Sequence, residues 1–78
     1  MSSIKEMVEY VVKELADQSD AIDVSETRGE TTVLIEVDAA DEDKGRLIGR
    51  GGRTINAIRD IARVLGGKLE TKVRVEIL

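Results

Sequence analysis

Apolar residues recur along this chain with two different periods, and the switches between them mark out its elements. Ile4, Met7, Val8, Val11, Val12 and Leu15 fall at the i, i+3, i+4, i+7 spacing of one helix face. Ser3-Ile4-Lys5-Glu6 reads as a capping box, with Ser3 as N-cap and Glu6 reaching back to it. Together these predict a helix over 3–17, ended by Asp17-Gln18-Ser19-Asp20. The period then drops to two. Ile22 and Val24 alternate with Asp23 and Ser25, and Arg28-Gly29-Glu30 supplies a turn. In the run 31–38, Val33, Ile35 and Val37 share one strand face, while Thr32, Leu34 and Glu36 share the other. The two strands form an antiparallel hairpin.

Residues 39–43 make an acidic connection, in which Asp41 is placed to cap a short helix running to about Ile48. Residues 49–52 interrupt it. A further helix resumes near Arg53, with Ile55, Ile58, Ile61, Ala62 and Leu65 as its buried stripe. Gly66-Gly67 ends that helix, because glycine accepts the left-handed C-terminal conformation. A last strand over 70–78 turns Val73, Val75 and Ile77 inward and Lys72, Arg74 and Glu76 outward. The order is α-β-β-α-α-β. One apolar face per strand predicts an α+β fold: a three-stranded mixed sheet with helices packed on one face. The two helices between the second and third strands form a crossover that lets those strands run parallel. With 78 residues and no linker or repeat, the chain reads as one domain over 1–78.

The most informative segment is 47–58, which reads L-I-G-R-G-G-R-T-I-N-A-I. It has the form I-G-x-x-G-x-x-I-x-x-I, with the glycines at the start of a helix. Bare backbone there is an anion site, since outward N–H groups and the helix dipole both favour negative charge. Arg50 and Arg53 add full charges at the same place. The segment therefore reads as a grip for a phosphate backbone, with the amides of Gly51 and Gly52 as donors. A tight helix–helix turn explains one or two of the glycines but not the arginines beside them.

Net charge is −4, which by itself argues against a nucleic-acid partner. Its distribution reverses that. Residues 1–43 hold 3 Lys and Arg against 13 Asp and Glu, whereas 44–78 hold 9 against 3. Lys44, Arg46, Arg59, Arg63 and Lys68 lie in or around the glycine segment and supply longer-range attraction. Ordinary solvation, or pairing with the acidic half, accounts equally well for Arg59 and Arg63.

Several function classes drop out. The chain has no cysteine and no histidine, so disulfides, the commonest metal ligands and the usual nucleophile–base pairs are missing. Neither a Walker A loop nor a dinucleotide fingerprint fits, since Thr54 stands where the last glycine belongs. Tyr10 is the single aromatic residue, which rules out a stacking platform; it reads as a half-buried contact on the first helix. Asp41-Glu42-Asp43 reads as a solvated helix start favoured by the dipole. No apolar run approaches the roughly 20 residues of a membrane span, and no basic n-region precedes an apolar stretch. The expectation is a non-enzymatic cytoplasmic protein that uses no cofactor, metal or membrane.

Ile48-Gly49-Arg50-Gly51-Gly52, continued by Ile55 and Ile58 between two predicted helices, resembles the KH family of RNA-binding modules. The element order resembles the type II, prokaryotic arrangement, with the core motif over about 31–78. A free-standing domain of this size is similar to the small bacterial KhpA family. The resemblance implies a loop, bracketed by Gly49 and Gly52 and filled by Arg50 and Gly51, that clamps single-stranded RNA by its backbone. Ile48 and Ile55 would line the groove where bases sit. It also implies an RNA chaperone that forms a homodimer or pairs with a second KH-containing protein, KhpB, in cell-length control and peptidoglycan homeostasis. The segment Gly66-Gly67-Lys68 is short, which leaves little to wrap RNA from the far side. The rival expectation is a protein-interaction module with little RNA affinity of its own.

Overall fold

A computed structural model describes residues 3–78. Helix α1 (Ser3–Leu15) is followed by a single 3-10 turn, strand β1 (Asp23–Arg28) and strand β2 (Thr32–Asp38). Then come α2 (Asp41–Ile48), a second 3-10 turn (Arg50–Gly52), α3 (Arg53–Lys68) and strand β3 (Lys72–Ile77). The sheet order is β1-β2-β3. β2 is central, antiparallel to β1 and parallel to β3. This is the α+β architecture that the hydrophobic pattern predicts.

The core follows from that pattern. Val33, Ile35 and Val37 of β2 are buried, as are Val24 of β1 and Val75 of β3. Ile4, Val8 and Val12 cover them from α1, and Leu47, Ile55, Ile58 and Ala62 from α2 and α3. Each fully buried Val, Ile or Leu contributes about 1.5–3 kcal/mol relative to exposure.

Local details depart from expectation for identifiable reasons. α1 begins at Ser3, so the position before it lies outside the described residues and Ser3 is itself helical. β1 continues through Arg28, and the turn shifts to Gly29, whose N–H bonds the carbonyl of Thr32 at 2.9 Å. Tyr10 is exposed, not half-buried. Ile61 is 50 % exposed and does not belong to the buried stripe. At 3.6 residues per turn, six residues from Ile55 swing its side chain about 120° around the axis, off the core face.

Helix α3 does not end at Gly66-Gly67; it runs through both to Lys68. Gly66 is a close-packing residue. A Cβ there would lie 2.6 Å from the Thr71 carbonyl oxygen and 2.6 Å from Val73 Cγ2, so its absence lets β3 press against the helix. The termination is a Schellman motif built further on. Thr71 N–H bonds the Gly66 carbonyl at 2.8 Å, and Glu70 N–H bonds the Gly67 carbonyl at 3.2 Å. The left-handed residue this motif needs is Glu70, at φ 54°, the one described non-glycine residue with positive φ. Glu70→Gly should relieve that strain and raise stability by about 0.5–1 kcal/mol after the entropy cost of glycine, or a few degrees in Tm. Calorimetry checks it; an unchanged or lower Tm would show that the position is not strained.

Asp41 does not cap α2. The cap position is Ala40, without a side-chain bond, and Asp41 instead pairs with Lys44 at 3.1 Å. Nor is the acidic run wholly solvated: Asp43 is 2 % exposed. Its Oδ1 accepts the N–H of Asp17 and its Oδ2 the N–H of Gln18, both at 3.0 Å. These are the amides just past α1, so one carboxylate ties the end of α1 to α2. The two N–H bonds hold the Asp43 carboxyl below its ordinary range; Gln18 contributes most, then Asp17, against the opposing pull of burial, with Arg46 adding a little.

Candidate nucleic-acid interface

Three glycines with positive φ build the loop between α2 and α3. Gly49 has φ 79°, Gly51 φ 63° and Gly52 φ 82°. At Gly49 the need for glycine is steric as well as conformational, since a Cβ would lie 2.7 Å from the Thr54 amide nitrogen. At Gly51 a Cβ would meet nothing within 4 Å, so the loop tip opens directly to solvent. Arg50 and Arg53 flank that tip, exposed and without an ion pair among the described residues.

The amides divide into two sets. Gly49 N–H closes α2 by bonding the Gly45 carbonyl at 2.8 Å. Gly52 N–H bonds the Gly49 carbonyl at 3.1 Å, and Arg53 N–H bonds the Arg50 carbonyl. The expected donor Gly52 therefore spends its N–H inside the turn. Among the described residues the Gly51 N–H makes no backbone bond, which leaves it as the loop amide available at the open tip.

Below the loop, α3 and the outer edge of β3 enclose a cleft of about 310 Å³. Asn56, Arg59 and Arg63 form the helix wall, and Val73, Val75 and Glu76 the strand wall. The strand wall is a free sheet edge. Lys72 N–H bonds the Thr31 carbonyl and Leu78 N–H the Val37 carbonyl, so the even-numbered residues of β3 address β2. The peptide groups of Val73, Val75 and Ile77 therefore face outward. Arg59 crosses to this edge, donating Nε–H to the Val75 carbonyl at 3.0 Å. Its guanidinium also lies 3.7 Å from Glu76, which Arg74 approaches to 3.3 Å.

Of the other residues expected here, Ile48 is 41 % exposed beside the loop. Ile55 is 5 % exposed and belongs to the core, so it presents little to a ligand. Lys44 is held by Asp41. Arg46 is turned the other way, against Asp17 at 2.7 Å, and that carboxylate strengthens its hold on its proton. Lys68 sits at the far end of α3 beside Leu65 and Leu69, about 20 Å along the helix from the loop. Arg63 pairs with Asp60 at 3.3 Å on the cleft rim. The sequence reading passed over Asn56, Arg74 and the Val75 peptide group; the alternation of β3 marked Arg74 as outward, but only the sheet order brings it to the cleft.

A three-stranded mixed sheet covered on one face, with a glycine turn joining two helices of the β2–β3 crossover, defines a type II KH domain. The family profile described as "KhpA/KhpB, KH domain" matches residues 5–77. The chain belongs to this KhpA/KhpB KH-domain family. It is 41 % identical over 78 residues to the RNA-binding protein KhpA of Aquifex aeolicus, covering 100 % of this chain and 99 % of that one. It is 37 % identical over 75 residues to the RNA-binding protein KhpA of Clostridium perfringens, covering 96 % and 100 %. The RNA-binding protein KhpA of Chlamydia trachomatis is 36 % identical over 75 residues, covering 96 % of each. No solved structure matches. Among the described residues, no helix is long and apolar enough to cross a membrane.

Proposed function

We propose that this chain is a non-enzymatic cytoplasmic binder of single-stranded RNA, acting over its whole length as one domain in an RNA-chaperone or post-transcriptional role. The observation that carries this reading is the open tip at Gly51, where the backbone meets solvent between two exposed arginines. Arg50, Arg53 and the Gly51 amide hold phosphates, Gly49 and Gly52 shape the turn, and Ile48 borders the bases. Arg59 acts within the cleft. The names of the relatives, each an RNA-binding protein, support the same reading.

With so few phosphate contacts, affinity should be modest and steeply salt-dependent. About three phosphates give a slope of log K against log salt near −2 for a single strand. Fluorescence titration of a labelled oligoribonucleotide at several salt concentrations measures it; a slope near zero would overturn the phosphate grip.

The same proposal includes pairing with a second copy or with a KhpB-like KH protein. Ile61 and Val64 support it, as exposed apolar side chains one turn apart on α3. Two linked grooves raise affinity through effective concentration. Sedimentation in high salt should preserve such an apolar dimer while RNA is released. Any contribution to cell-length control or peptidoglycan homeostasis would follow from this RNA-level role.

A further inference from the structure

Helix α2 carries the glycine loop at its C-terminal end, yet little in its own sequence holds it in place. Its eight residues fall short of the roughly 12–15 that an isolated helix needs, Gly45 interrupts them, and its start has no side-chain cap. Two buried side chains anchor it. Leu47 enters the core beside the loop, and Asp43 is buried one turn earlier. A single apolar contact leaves so short a helix free to swivel; a second anchor fixes its direction.

That second anchor is a clasp on the end of α1. Asp43 takes the amides of Asp17 and Gln18, both at 3.0 Å. To either side, Gln18 Nε2 donates to Glu42 Oε2 at 2.9 Å, and Arg46 Nη1 donates to Asp17 Oδ1 at 2.7 Å. These outer two bonds are exposed and compete with water, whereas the Asp43 carboxylate is enclosed. About 9 Å of helix separates Asp43 from Gly49. Gly49 N–H closes α2 on the Gly45 carbonyl, so a tilt at the clasp reaches the loop as a displacement.

Resting on the RNA-binding reading above, we propose that Asp43 is a positioning residue for RNA: by clasping the end of α1 it fixes the direction of α2 and, with it, the glycine loop. At 2 % exposure Asp43 touches no RNA itself. It acts on the fraction of molecules whose loop already has the binding geometry, and apparent affinity falls with that fraction. The coupling runs both ways, so RNA that favours the ordered loop also favours the closed clasp. The amides of Asp17 and Gln18 report the clasp, since Asp43 is their acceptor and both residues are otherwise exposed. Asp17, Asp41 and Glu42 make the surroundings acidic, which keeps a phosphate strand from covering those amides directly.

The test titrates one labelled single-stranded oligoribonucleotide against the unaltered chain, Asp43→Asn and Val24→Ala, at a temperature well below every Tm. Asp43→Asn keeps the shape of the side chain but turns an amino group toward one of the two amides. It should bind about tenfold more weakly, as when a tenth of the molecules hold the loop ready. Val24→Ala removes buried methyl groups from β1, at the opposite edge of the sheet from β3, and destabilises the fold without touching the clasp. It should bind like the unaltered chain. In parallel, hydrogen exchange followed by NMR on the unaltered chain should show the Asp17 and Gln18 amides slowed several-fold by saturating RNA. Equal affinities of Asp43→Asn and Val24→Ala overturn the inference while leaving RNA binding intact. Exchange at the two amides unmoved by RNA overturns it in the same way, and that measurement decides even where Asp43→Asn fails to fold. Failure of the unaltered chain to bind the oligoribonucleotide overturns the RNA reading itself, and this inference with it.

Discussion

Replacing Gly51 and Gly52 together with Asp should lower RNA affinity on the order of a hundredfold, because two carboxylates would stand at the proposed phosphate grip. The geometry makes the experiment clean. A Cβ on Gly51 meets nothing within 4 Å, and one on Gly52 comes no closer than 3.4 Å to Asn56 Nδ2, the tip of a flexible side chain. The cost is conformational, about 1–2 kcal/mol for each left-handed position, and Asp is among the residues that tolerate it best. The matched control is Gly51→Asn with Gly52→Asn, which carries the same backbone strain without the charge. Circular dichroism should show both variants folded. If the Asp and Asn pairs bind RNA equally well, the loop is not the phosphate grip.

Asp43→Asn should lower Tm by several degrees at neutral pH, and the deficit should shrink on acidification. The carboxylate holds two amides, and those amides hold its pKa below the ordinary value of about 3.9. A lowered native pKa means that ionised Asp43 stabilises the fold above the ordinary value. That contribution fades as pH falls through the lower native one. Thermal unfolding at pH 7 and at several values below 4 separates the cases. A deficit that is constant with pH would show that Asn has lost shape or packing, not charge-assisted hydrogen bonds.

What the sequence disclosed and what it withheld divide along the range of the interactions. The strand face Val33, Ile35, Val37 and the helix face Ile4, Val8, Val12 repeat within a few residues, so their periods could be read directly. The glycine loop was legible for the same reason: its chemistry lies within four residues. Asp43 looked like an ordinary helix-start acid because its partners, Asp17 and Gln18, are 26 and 25 residues away. The Arg59–Val75 bond spans 16 residues and depends on which edge of the sheet β3 occupies. Gly66 read as a helix stop, since glycine usually is one; here contact with Thr71 and Val73 outweighs its poor helix propensity. The left-handed residue then fell on Glu70, a position no propensity would choose. Ile61 was misplaced by reading every isoleucine on the helix as core.

The parallel pairing of β2 with β3 sets an order of events at the ribosome. The hairpin and the glycine turn lie within residues 23–52, and β3 begins only at Lys72. The cleft has no second wall until that last strand docks. A chain cut short before β3 therefore keeps its arginine-flanked turn but lacks the strand wall of the cleft. Stalled or truncated products should adhere to RNA without telling one sequence from another.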